Sequence, residues 1–310
     1  MMNKKEFAEM LKEDVFNRLP SDVRSDITID YIEVVKMNDL KLHGLSFRNA
    51  GSDAAPTLYV DDMYRAYTEG ADLRYLATDL ANAYIAAKDE PAPPTVSLRY
   101  DDVKDKLTIR LLEKKRNRKF LAKMPYISVG HGFAITADIN MGEERGGDWR
   151  IPVNKGVLEE LEVDEETLFA DAIESSAVFE PPMLVEMGNA LFESDKINLL
   201  DMAGPIDPEK AGNMYVLTNT SGSLGAAVLF YPEIRERAAE ILGTDYYILP
   251  SSVHEVILVP DTAGIDEKDL CDMVRKANRS VVEEGDILSD EVYHYSKGGG
   301  MAKITHSAAA

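Results

Sequence analysis

Cysteine is almost missing from this chain of 310 residues: Cys271 is the only one. A single thiol excludes an internal disulfide framework and any zinc site built from several cysteines. Long apolar runs are missing too. Stretches such as residues 225–231 fall far short of the ~20 residues that span a bilayer. The opening Met1-Met2-Asn3-Lys4-Lys5-Glu6-Phe7 has no apolar signal-peptide core, which predicts a cytoplasmic protein with no membrane partner. Positive charge is also short, with 34 Lys and Arg against 55 Asp and Glu, a net of −21. Such a surface repels phosphate backbones and anionic lipid, so nucleic acid is disfavoured as a partner of the whole chain. Among the histidines, His43, His131, His254, His294 and His306, no pair has the helical i, i+4 spacing of a metal site. No Gly-x-Gly-x-x-Gly and no P-loop occurs. The expectation is therefore no metal and no cofactor.

What is present is an ordinary globular composition, 45% hydrophobic and 29% charged, long enough for two medium domains or one large one. Phe7, Met10, Leu11 and Phe16 follow a helical stripe that ends near Leu19-Pro20. Ile27, Ile29 and Tyr31 then alternate with polar residues as a strand does. Asn38-Asp39 predicts a turn into a returning strand through Leu40, Leu42, Leu45 and Phe47, with Gly44 as a bulge. After Pro56 a helical region carries Leu73, Leu76, Leu80 and Tyr84 at spacings of three and four, and Gly70 divides it. Glu90-Pro91-Ala92-Pro93-Pro94 is the strongest breaker and reads as a rigid loop.

Further on, strands are expected at residues 107–112 and 133–139, with a short basic helix between them and a polar loop over residues 142–148. Asp164 is placed to cap a helix through Leu168, Phe169, Ala172 and Ile173. Residues 214–218 and 226–230 read as short strands, followed by a helix through Ile234, Ala238 and Leu242. The clearest strands are 246–249 and 255–259. Asp266 caps a last helix with Leu270, Met273, Val274, Ala277 and Val281, its register turning Cys271 towards the core. With no spaced βαβ units, the class is α+β, mainly antiparallel sheets with packed helices. The expected layout is an α+β half over 1–150, a helical middle section over 151–212, a ββαββα half over 213–297 and a flexible tail over 298–310. The similar rhythm of the two halves admits an internal duplication, although no residue string recurs.

Pro250-Ser251-Ser252-Val253-His254-Glu255 gathers two hydroxyls, an imidazole and a carboxylate at one strand-to-strand turn. That is the raw material of a Ser–His nucleophile, with Ser251 or Ser252 attacking, His254 as base, and Glu255 or Asp290 orienting it. The strand-elbow-helix setting of such a serine is absent, and turn-capping serines beside a packed histidine are the better account of the string. Asn219-Thr220-Ser221-Gly222-Ser223-Leu224-Gly225 could form a backbone anion nest with Asn219 as a binding residue, but without a P-loop ending a plain hairpin loop is the better reading.

Charge is uneven. Residues 101–123 hold nine Lys and Arg against four acids, a local +5, which leaves −26 elsewhere. Arg110 and the run Lys114, Lys115, Arg116, Asn117, Arg118 and Lys119 are candidate contacts for an acidic partner or for nucleic acid, although no aromatic platform interleaves them and a solvated helix face has the same pattern. Residues 154–180 are the opposite pole, with one Lys against nine acids. The two poles suit pairing within the molecule or across a homo-oligomer.

Several strings carry a family likeness: residues 110–117 with Leu121 and Pro125, residues 163–169, residues 214–219, and most specifically 248–256 and 287–293. Over about residues 5 to 303 the chain resembles an uncharacterised bacterial family catalogued as a domain of unknown function, number fifty-six eighty-eight. The resemblance implies a bacterial cytosolic protein and assigns no activity, cofactor or catalytic residue. The composite expectation is a non-enzymatic interaction or regulatory protein with an acidic surface and an unknown protein partner, the alternative being a serine-dependent hydrolase built on the Pro-Ser-Ser-Val-His-Glu string.

Overall fold

In the computed structural model, which describes residues 2–49, 55–88, 98–144, 147–190, 197–207 and 212–304, the chain divides into two units, Met1–Val96 and Ser97–Ala310. The limits expected at 150 and 212 fall inside the second unit. The breaker stretch 90–94 lies outside the described residues.

The first unit starts with α1 (Lys4–Arg18), held by a reciprocal capping box between Asn3 and Glu6. Its Phe7, Leu11 and Val15 are buried, while Phe16 turns outward. Next come α2 (Ser21–Arg24) and the hairpin β1 (Ile27–Val35) and β2 (Lys41–Asn49), with Asn38 left-handed at the turn as its Asn-Asp composition predicts. Strand β3 (Thr57–Tyr59) completes an antiparallel sheet in the order β1-β2-β3. Helices α3 (Asp61–Thr68) and α4 (Leu73–Lys88) follow, separated at Gly70, whose φ of +107° no L side chain adopts readily. Leu76, Leu80 and Tyr84 are buried, and the Tyr84 ring stacks on Phe47 at 4.4 Å between centroids. The expected bulge at Gly44 is absent, since β1 and β2 pair without a register break. Glycine is needed there for another reason: a Cβ would meet Thr57 Cγ2 at 2.8 Å, so β3 approaches where a side chain would stand.

The second unit begins with α5 (Tyr100–Val103), β4 (Leu107–Glu113), α6 (Arg118–Leu121), β5 (Ile127–Gly130), β6 (Phe133–Glu144) and β7 (Gly147–Pro152). These strands form one antiparallel sheet in which β6 pairs with β4, β5 and β7. The polar loop expected over 142–148 is largely the end of the β6–β7 hairpin, whose strands run to Glu144 and from Gly147. Helix α7 (Lys155–Leu161) is capped by Asn154, and α8 (Glu165–Phe179) by Asp164, which accepts from Thr167 N at 2.8 Å.

Strand β8 (Pro182–Glu186), α9 (Met187–Ala190), β9 (Tyr215–Asn219), α10 (Ile234–Leu242), β10 (Tyr246–Leu249), β11 (Val256–Pro260), α11 (Glu267–Ser280), β12 (Tyr293–Ser296) and β13 (Gly300–Lys303) complete the unit. The strands make a six-stranded sheet ordered β13-β12-β10-β11-β9-β8. All recorded strand pairs are antiparallel, so the class is α+β. Two expectations change. Residues 226–230 are not a strand but part of a 3₁₀ helix, Gly225–Phe230, which is buried as far as Leu229 without a partner strand. Residues 298–310, expected as a tail, include β13, which pairs Lys303 with Tyr293 and Met301 with Tyr295.

Alternation in β4 and β6 puts Ile109, Leu111, Ile135 and Ile139 on one sheet face and Thr108, Arg110, Thr136, Asp138 and Asn140 on the other. Both faces are buried. The polar face survives burial because its charges are paired. Arg110 donates Nε to Asp138 Oδ2 at 2.9 Å and Nη2 to Oδ1 at 2.8 Å. Arg150 of β7 pairs with Glu180 and donates to Thr108 Oγ1 at 3.0 Å. A buried charge without such partners costs several kcal/mol, on the order of the whole stability margin.

Candidate functional site

The Pro-Ser-Ser-Val-His-Glu string lies between β10 and β11, as expected, but it does not assemble a Ser–His pair. The His254 ring accepts at Nδ1 from the Leu224 backbone N at 3.2 Å, and Nε2 lies 3.5 Å from Asp286 Oδ2. A ring that accepts at Nδ1 carries its proton on Nε2, facing Asp286. Ser252 is 4% exposed, and its Oγ accepts from His254 N at 3.0 Å, which is the turn-capping arrangement. Ser251 offers its backbone carbonyl to Leu288 N at 2.9 Å. Glu255 immediately precedes β11. Asp290 is not beside the imidazole: it pairs with Arg116 and accepts from Asn278 Nδ2 at 2.7 Å. Neither serine hydroxyl thus contacts the base proposed for it, and the carboxylate by the ring is one the sequence did not single out.

Asn219 closes β9, and a buried network takes it up. It donates Nδ2 to Glu180 Oε2 at 3.1 Å and to Ser223 O at 2.8 Å, and accepts from Ser221 Oγ at 3.1 Å. The following loop is no hairpin, since β9 has β8 and β11 as its neighbours.

The basic run divides four ways. Arg110 is held in its buried pair with Asp138, and Asn117 is fully buried, donating Nδ2 to Glu113 O at 2.9 Å. Both are structural, which corrects their reading as surface contacts. Arg116 spans Glu113 at 3.2 Å and Asp290. Lys119 is exposed on α6. Lys114, Lys115 and Arg118 share one cleft of about 590 Å³, between the ends of β4, α6 and the β12–β13 ladder.

Lys303 of β13, His131 and Tyr126 also face this cleft, and none of the three was singled out as a contact in the sequence. The negative groups in its wall are Glu113 and Glu291. Glu291 is tied to Lys303 at 2.7 Å. Burial pushes the Glu113 carboxyl above its ordinary value, opposed by Arg116 and by the Ser289 hydroxyl, which donates to Oε1 at 3.2 Å. Tyr293 forms part of the floor. Its hydroxyl donates to His131 O at 3.2 Å, and burial pushes it up to about 12. His131 sits at φ +52° between Gly130 at +85° and Gly132 at +86°. Three successive left-handed residues cost energy at the histidine, and such strain concentrates where a side chain must be presented at a fixed place. The Gly-His-Gly string was the one sequence signal for this wall.

A family profile matches residues 4–297, nearly the whole chain. The chain belongs to the family of unknown function DUF5688. The DUF5688 match runs through both units and ends just before β13, so Lys303 lies beyond it. No curated protein and no solved structure matches the chain. Among the described residues of this DUF5688 member, no helix is long and apolar enough to cross a membrane. Among the same residues, no group of three or more His, Cys, Asp or Glu is placed to hold a metal ion.

Proposed function

We propose that this DUF5688 chain is a non-enzymatic interaction or regulatory protein whose second unit holds an acidic segment of a protein partner in the cleft at Lys114, Lys115 and Arg118. The observation that carries the reading is the convergence of these three cations with Lys303 on one concave site of a chain whose net charge is −21. A local positive field inside an acidic surface selects partners by sign. It attracts carboxylates to one place, while the rest of the surface turns acidic chains away. The volume suits a few side chains or a short extended segment.

The test is fluorescence polarisation of a labelled Glu-rich peptide titrated with the full chain at low and at moderate salt. Saturable binding that weakens as salt rises, and that falls about tenfold or more in a Lys115→Glu, Arg118→Glu double variant, is the expected result. Binding equal in the variant, or absent altogether, overturns the reading. A single-stranded oligonucleotide that outcompetes the peptide would move the partner class to nucleic acid.

A further inference from the structure

The basic cleft has a neighbour. A second cavity of about 330 Å³ has Phe230, Tyr231, Tyr295, Met301 and Val129 in its walls, and His131 borders both. The two lie side by side along one ladder. Tyr293 pairs with Lys303 and Tyr295 with Met301, and directly opposed residues of an antiparallel pair point to the same face. The first pair lines the basic cavity and the second lines the aromatic one. One step of two residues separates them, about 7 Å along the strand.

The two cavities differ in chemistry. The first is dominated by ammonium and guanidinium groups. The second has a mainly aromatic and aliphatic lining, with the Arg235 guanidinium lying over the Phe230 ring at 5.2 Å and Glu233 and Glu236 exposed. Between them the left-handed Gly130-His131-Gly132 turn acts as a partition, fixed by the Tyr293 hydroxyl on the His131 carbonyl.

We infer that the two cavities are adjacent subsites for one extended peptide segment, which places an Asp or Glu side chain in the basic cavity and an apolar or aromatic side chain, two residues away, in the aromatic one. An extended chain has the same two-residue repeat of about 7 Å as the ladder it lies along, so i and i+2 side chains reach both cavities while i+1 points away. The charge complementarity of the first cavity selects the acidic residue, and the aromatic and aliphatic walls of the second favour an apolar side chain, while Glu233 and Glu236 in the same lining repel a second acid. This inference rests on the reading of the cleft as a site for an acidic protein segment and adds a spacing rule to it.

The experiment uses labelled peptides in a Gly-Ser background, with one Glu and one Leu placed at i,i+1, at i,i+2 or at i,i+3. Each is titrated with the full chain at low salt. The i,i+2 peptide is expected to bind about tenfold more tightly than the other two, and its Gln-for-Glu version to lose that advantage. Met301→Asp should remove the spacing preference while sparing the Glu dependence. Lys303→Gln should weaken every Glu peptide, with Lys115→Gln as the second probe of the same cavity if the β13 variant misfolds by circular dichroism. Equal affinity for the three spacings, with binding still lost in the Lys115→Glu, Arg118→Glu protein, overturns the subsite pair and leaves the cleft reading standing. No binding by any Glu peptide overturns both.

Discussion

Asn219 donates a hydrogen bond to Glu180 at 3.1 Å, joining the end of β9 to the residue that closes α8. Glu180 also accepts from Asn140 of β6 at 2.8 Å and pairs with Arg150 of β7, so one carboxylate ties both sheets of the second unit to a helix end. Arg150 and Glu180 have side chains only 6% and 4% exposed. Removing one partner strands the other away from water, and breaking a buried pair in this way costs about 3–5 kcal/mol. Glu180→Gln should therefore lower the urea midpoint of the full chain sharply, although it preserves shape. Asn219→Ala should cost about 1–3 kcal/mol, the usual range for leaving buried partners unsatisfied. A Glu180→Gln midpoint equal to wild type would mean that the clamp contributes nothing.

Gly225 is expected to tolerate no side chain. A Cβ there would stand 2.1 Å from Thr218 Oγ1, 2.6 Å from His254 O and 2.7 Å from Asn219 N. Two of these are backbone atoms, which cannot swing aside, and the Thr218 hydroxyl is itself donating to His254 O at 2.8 Å. Overpacking a well-filled site costs about 1–3 kcal/mol, and Gly225→Ala should reach or exceed the upper end. Gly222→Ala, three residues earlier, where an added Cβ meets nothing within 4 Å but φ is +69°, should cost about 1 kcal/mol by conformation alone. Chemical denaturation of the two variants side by side checks the ranking, and the reverse order would refute it.

Much of this architecture is legible in the sequence where local chemistry decides it. Asp164 and Asp266 cap α8 and α11, and the strands around Ile248 and Leu258 follow from β-branched and aromatic runs. Residues 226–230 misled because a five-residue apolar run has no period by which to tell a strand from a buried helical turn. Gly225 at its start packs against Thr218, Asn219 and, 29 residues on, His254, contacts that no local period encodes. The basic run misled in a similar way. Arg110 and Lys114 look alike in sequence, yet partners 28 residues away decide that one is core and the other lines a cleft. His254 and Ser252 are adjacent enough to suggest chemistry, but the ring answers to Leu224 and Asp286, which no spacing rule brings near.

For His254 the expectation concerns stability and not turnover. Leu224, left-handed at φ +53° and 7% exposed, spends its N–H on the ring nitrogen. His254→Ala removes the acceptor and should destabilise the chain by about 1–3 kcal/mol. Ser251→Ala, which leaves the backbone carbonyl bond to Leu288 in place, should stay within about 0.5 kcal/mol of wild type. Hydrolysis of a small activated ester should be no faster with wild type than with either variant. A rate lost in both Ser251→Ala and His254→Ala would revive the hydrolase reading.

Glu113 gives the pH dependence a sign. Burial raises its carboxyl above the ordinary 4.5, with Arg116 and Ser289 opposing the shift. In the interval between the ordinary value and the raised one, the folded chain holds the proton that the unfolded chain has released. Through that interval stability therefore falls as pH rises and is gained as pH falls. Glu113→Gln removes the titration, so the wild-type midpoint measured relative to this variant should increase from neutral pH towards the carboxyl range and then level off. Urea unfolding of both proteins over that range gives the difference directly. A difference that stays flat would mean that Arg116 and Ser289 cancel burial, and one that grows with rising pH would mean that they outweigh it and hold the carboxylate ionised in the cleft wall.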